Sequence, residues 1–86
     1  MKTKAYVLIE TTPGKTRSIK TALGKLKRGV TTVVALDAVT GPYDFIAVVE
    51  GPGLDAIGQF VTESLGTIDG VTRTTTCIAV SVGRDR

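Results

Sequence analysis

Four short, unbroken apolar runs constrain this chain more than any other feature. Tyr6–Ile9, Val33–Leu36, Phe45–Val49 and Cys77–Val80 are apolar at successive positions rather than at every second one. A strand sends alternate side chains to opposite faces, so runs of this kind call for burial on both. Between them lie two stretches of helical period. Ile19, Ala22, Leu23 and Leu26 recur at three- and four-residue steps, and Leu54, Ile57, Phe60, Val61 and Leu65 do the same. The order is β-α-β-β-α-β, a split βαβ, and the fold class expected is α+β, ferredoxin-like. Eighty-six residues form one domain, residues 1–86. Two helices cover one face of a four-stranded sheet. The other face, equally apolar, asks for a second copy of the chain, hence a two-fold dimer.

The punctuation between elements is specific. Strand Lys4–Glu10 ends at Thr11-Thr12-Pro13-Gly14, where Thr12 is the expected N-cap and Pro13 the first helical residue. That helix is expected to continue to Lys27 and Arg28 and stop at Gly29, with Gly24 weakening its interior. A strand from Val30 to Val39 turns at Gly41-Pro42 into a strand from Tyr43 to Glu50, which Gly51-Pro52-Gly53 breaks. The second helix is expected from about Gly53 to Leu65, and the last strand from Val71 to Val82, before a frayed tail of residues 83–86.

Composition excludes much chemistry. With no histidine and one cysteine, Ser-His-Asp and Cys-His catalysis, His-ligated haem and common zinc sites have no residues to use. The eight acids are scattered rather than clustered, no run has phosphate-loop spacing, and no cofactor is expected. No apolar run is long enough to cross a bilayer and no leader precedes the first strand, so a cytoplasmic protein without membrane contact is expected. Cys77, in an apolar strand, reads as a small core residue. The net charge of +3 is too small to name a partner. Six cations fall around the first helix: Lys15, Arg17, Lys20, Lys25, Lys27 and Arg28. They read either as a solvated face or as a weak nucleic-acid contact, and the aromatics that would stack on bases are few.

Two stretches could hold a ligand. At the Gly41–Asp44 turn, Asp44 either bonds nearby backbone amides or accepts an ammonium, while free N–H groups take a carboxylate. In Thr74-Thr75-Thr76, alternation puts Thr74 and Thr76 on one face, as an ordinary strand or as a pair of hydroxyls for a carboxylate or amide.

The chain from Ala5 to Val80 resembles the effector-binding (RAM) domain of the Lrp/AsnC family. The resemblance lies in Ala5-Tyr6-Val7-Leu8-Ile9, Pro13-Gly14 before the first helix, Gly41-Pro42-Tyr43-Asp44-Phe45 as the family's Gly-x-Tyr-Asp turn, and Gly70-Val71 with Thr74-x-Thr76 as its closing strand. It implies dimeric α/β barrels associating into rings, with an amino-acid effector between dimers. Gly41, Tyr43, Asp44, Thr74 and Thr76 would then bind that effector. The family's helix-turn-helix is missing ahead of the first strand. The resemblance is therefore to a stand-alone form, with no specific DNA binding of its own and a full-length Lrp/AsnC regulator as one expected partner. Two other classes share the topology: small dimeric α+β-barrel enzymes, which rely on His, Trp or a metal, and assembly modules without a ligand. ACT domains bind amino acids on the same topology, but their ligand loop fits less well.

Overall fold

A computed structural model describes residues 2–82. The elements are β1 (Thr3–Thr11), α1 (Thr16–Gly24), β2 (Lys27–Arg28), β3 (Thr31–Ala38), β4 (Phe45–Gly51), α2 (Leu54–Gln59), a π-helical continuation (Phe60–Leu65) and β5 (Val71–Ile78). The strands form one antiparallel sheet in the order β2-β3-β4-β1-β5. The expected α+β, ferredoxin-like fold is therefore present, with one small extra strand at an edge.

That extra strand corrects the first helix. Lys27 and Arg28 pair with Thr32 and Thr31 instead of ending α1, and Gly29 turns the hairpin between them. At the other end, α1 begins only at Thr16, with Lys15 rather than Thr12 at the cap position and no capping side chain. Gly14 explains the delay, because its φ of +89° is incompatible with a helix. Thr12-Pro13-Gly14 is instead a turn, fastened by Thr12 N–H donating to the Gly70 carbonyl (2.7 Å). Gly24 is the last residue of α1, not an interior one. Strand β5 stops at Ile78, short of the expected Val82, and the expected frayed tail lies outside the described residues.

The core lies between the helices and one face of the sheet. Ala5, Val7 and Ile9 from β1, and Phe45, Ala47 and Val49 from β4, pack with Ile19, Leu23, Ile57, Phe60 and Leu65. Strict alternation along both strands sets these residues inward. Burying side chains of this size contributes about 1.5–3 kcal/mol each.

The second helix spans the expected length, but not with uniform winding. Gly66 N–H donates to the Val61 carbonyl at 2.7 Å, an i→i−5 bond. The cause lies in the spacing of its apolar residues. Phe60 and Leu65 are both fully buried, yet five residues of α-helix would set them about 140° apart. Widening the turn brings both onto the core, and Ser64, which an α-helix would point inward, stays half-buried. Gly66 is required there, since a Cβ would stand 2.9 Å from the Val61 carbonyl oxygen. Leu54, expected on the apolar face, is instead exposed.

The other sheet face is open. Tyr6 is 39% and Val34 51% exposed, while Leu8, Ile46 and Val48 are only half-buried. A bulge sets Val33 opposite Val49 and Ala35 opposite Val48, so Val34 and Ala35 both fall on this outward side. Cys77, pairing with Tyr6, lies here too and is exposed, which corrects its expected place in the core.

Candidate functional site

The turn before β4 is built into the sheet rather than hanging from it. Gly41, at φ +120°, makes the reversal, and Pro42 beside it is exposed. Val39 N–H donates to the Asp44 carbonyl (2.9 Å), which closes the turn. Asp44 N–H donates to the Ile9 carbonyl (2.8 Å), which joins the turn to β1. The Asp44 carboxylate adds a second tie: Oδ2 accepts from Thr11 N–H (2.8 Å) and from the Thr11 hydroxyl (3.1 Å). Of the two readings open for Asp44, bonding to backbone is thus realised, with a partner 33 residues away. The bonds given to this carboxylate all fall on Oδ2. Asp44 and Tyr43 are both half-buried.

The threonine strand reaches the same end of the sheet from the other side of β1. Thr74 pairs with Ile9 and Thr76 with Val7, so both lie on the helix side, and Thr75, opposite Leu8, lies outward. Ile9 is the common neighbour. It receives the Asp44 N–H, pairs with Phe45 on β4 and faces Thr74 on β5, so turn and threonine flank one residue of β1 at the same end of the sheet. Two strand spacings separate them, about 10 Å. Thr74 is half-buried and Thr76 exposed. Sequence reasoning placed these residues correctly by face, but gave no hint of the Thr11 tether. A hydroxyl residue at the end of one strand and an acid at the start of another was the only signal for it.

A crevice of about 150 Å³ lies along β5, lined by Gly66, Val71, Thr72, Arg73 and Thr74. It was not foreseen, because the π-turn that sets Gly66 against β5 was not. Thr74 enters it, whereas Gly41, Tyr43, Asp44 and Thr76 do not, so a single protomer does not gather the five candidates into one pocket. A larger, shallower hollow of about 540 Å³ lies where β4 leads into α2, lined by Pro52 to Ala56, and contains none of them. No group of three His, Cys, Asp or Glu side chains comes together among the described residues.

The cations do not form a stripe. Only Arg17 and Lys20 lie on α1, while Lys15 precedes it and Lys25, Lys27 and Arg28 follow it. Lys15 pairs with Asp69 and Arg28 with Glu63, each at 2.8 Å. The hydrogen bond to Lys15, and then its charge, hold the Asp69 carboxyl below its ordinary value, and Lys15 is raised in return.

Residues 4–85 match the Lrp/AsnC ligand binding domain, and the chain belongs to that family. It is 33% identical over 78 residues to an uncharacterized HTH-type transcriptional regulator of Pyrococcus abyssi, covering 91% of this chain and 47% of that protein. The chain thus spans about half the length of this curated relative. Among solved structures, FFRP-DM1 superposes with a TM-score of 0.81 at 31% identity, covering 91% of this chain and 99% of that one. A transcriptional regulator of Neisseria meningitidis, crystallised as a complex with L-Met, shares the fold with a TM-score of 0.79 at 16% identity, over 96% of this chain and 53% of its own. Membership of this family and kinship with transcriptional regulators support a regulatory role.

Proposed function

We propose that this domain senses a small amino acid and passes the signal on through its own assembly or through a partner. The observation that carries the reading is that Asp44 and Thr74 flank Ile9 from either side, which sets an acid and a hydroxyl at one end of the sheet in a ligand-binding family. Gly41, Tyr43 and Asp44 would meet the effector from the turn, and Thr74 and Thr76 from β5. Because one protomer leaves these groups apart, the site is completed where dimers meet. The outward face, with Tyr6, Leu8, Ile46 and Val48, is the surface on which two copies form each dimer. The Neisseria neighbour's L-Met makes free amino acids the first ligands to test. Backbone N–H groups and threonine hydroxyls suit the carboxylate, and Asp44 suits the ammonium. Such a ligand shifts assembly only by its differential affinity for joined and separate dimers. The cations are dispersed and two of them are already paired, so duplex DNA binding by this domain is weak and sequence-blind.

The test is a thermal-shift screen of the common amino acids, followed by calorimetry on wild type and Asp44→Asn. Asparagine keeps an acceptor for Thr11 and removes the charge. The expected loss is about 1.5–3 kcal/mol of binding, at least tenfold in affinity, with the melting temperature little changed. An amino acid that binds Asp44→Asn as tightly as wild type would move the site elsewhere. If none stabilises the protein at millimolar concentration, the domain is an assembly module.

A further inference from the structure

We propose that Asp37 of one copy pairs with Arg73 of a second, twice across a two-fold axis running along the strands, and that this pair fixes how the copies align. The inference rests on the reading above that a second copy covers the outward face.

Register orders that face into rows. Lys4 lies beside Glu50, and next come Cys77, Tyr6, Val48 and Ala35. Thr75, Leu8, Ile46 and Asp37 form the third row, and Arg73 lies beside Glu10 in the fourth. Charge thus sits at the two ends, with apolar rows between. Asp37 breaks the pattern, because it stands next to Ile46 inside the apolar part. The ion pairs among the described residues are Lys2–Glu50, Lys15–Asp69 and Arg28–Glu63, and none involves Asp37 or Arg73. Covering the face removes water from Asp37, which is costly unless a cation arrives.

A two-fold axis can lay one face on its copy in two ways. With the axis across the strands, β3 lies over β3 with its ends reversed. Asp37 then meets Val34 and Ala35 of the second copy and keeps no partner; Glu50 is set against Asp44, as Glu10 is in the other arrangement. Only Lys4 against Glu10 improves. With the axis along the strands, β3 lies over β5 and β4 over β1, and the rows stay in step. Tyr6 then faces Val48, Leu8 faces Ile46, and Lys4 faces Glu50. Asp37 faces Thr75, with Arg73 two residues along, about 7 Å. A rotation of about 30° between stacked sheets keeps β3 against β5. Glu10 meets Asp44 at the rim, where Thr11 already holds that carboxylate. The second arrangement brings Asp37 within reach of a cation, and the first leaves it without one.

A charge swap tests this. Asp37→Arg carries cations at both positions and Arg73→Asp carries acids at both, so each repels itself twice in its own dimer. A one-to-one mixture makes both pairs. By light scattering and native mass spectrometry, wild type is expected to be dimeric at micromolar concentration. Each variant alone should dimerise at least tenfold more weakly, and the mixture should give the mixed dimer with near wild-type affinity. Asp37→Asn should weaken the dimer in the same direction, and thermal melts confirm that each variant is folded. A dimeric wild type whose variants self-associate equally well, or whose mixture gains nothing, overturns the pair and leaves the two-copy reading standing. A monomeric wild type overturns both.

Discussion

The two faces of one sheet are made from the same strands and fare differently. Along β1 and β4, inward residues Ala5, Val7, Ile9, Phe45, Ala47 and Val49 are fully buried, whereas their neighbours Tyr6, Leu8, Ile46 and Val48 keep contact with solvent. Hydrophobicity does not separate the two sets; cover does. The inward set is sealed by side chains from the same polypeptide, so it contributes to stability at any concentration. The outward set contributes only when something arrives to cover it.

The largest effect expected is therefore on the inward face. Phe45→Ala should cost about 3–5 kcal/mol and leave little folded protein at 37 °C, read by calorimetry or chemical denaturation. Leu8→Asp, one strand away on the outward face, should leave a folded chain whose light-scattering mass has fallen to that of one copy. If Leu8→Asp unfolds the protein as thoroughly as Phe45→Ala, the two faces are one cooperative unit and the contrast is wrong.

A second pair of variants sharpens the account of the helix layer. Gly66→Ala forces a Cβ against the Val61 carbonyl oxygen and should cost about 1–3 kcal/mol. Gly24→Ala, at the end of α1 with open space around it, should be neutral or stabilise by up to about 1 kcal/mol. Denaturant midpoints compare them directly, and equal effects would show that the widened turn does not require glycine at position 66.

The smallest effect concerns the Lys15–Asp69 bridge, which is exposed. Asp69 is depressed, so its contribution is present at neutral pH and lost as pH falls through its folded value. Lys15 is raised, so its contribution persists below the usual lysine range and is lost only as strong alkali titrates it. Asp69→Asn should flatten the acid limb of the melting-temperature profile slightly and leave neutral pH almost unchanged.

How much of this could be read from the residues follows from the range of each interaction. The four apolar runs specified the main strands because alternation is local, and they announced the uncovered face because both parities were apolar. The start of α1 was misplaced because Pro13 and Thr12 suit a helix start as well as a turn, and only the bond from Thr12 to Gly70 decides between them. Lys27 and Arg28 look like a basic helix end until β3 offers them backbone partners. Asp44 was read as bonding either nearby backbone or an ammonium, and a bond to backbone is present. Its partner, Thr11, is remote in sequence, and nothing in the turn itself could name it. Cys77 was misread because a residue on an outward strand face counts as apolar whether or not anything covers it.

The widened turn at Phe60–Leu65 has a consequence for length variation in this chain. A π-turn is an α-helix carrying one residue more than its path requires. Deleting an exposed residue there, such as Thr62 or Glu63, would bring Phe60 and Leu65 to a four-residue spacing, which ordinary α-winding already sets on one face. The ends of the helix, and with them the register of β5, would stay where they are. The same deletion inside β1 would move every following side chain to the opposite face of the sheet. Single-residue losses are therefore expected to be absorbed between Phe60 and Gly66 and to be ruinous in the strands.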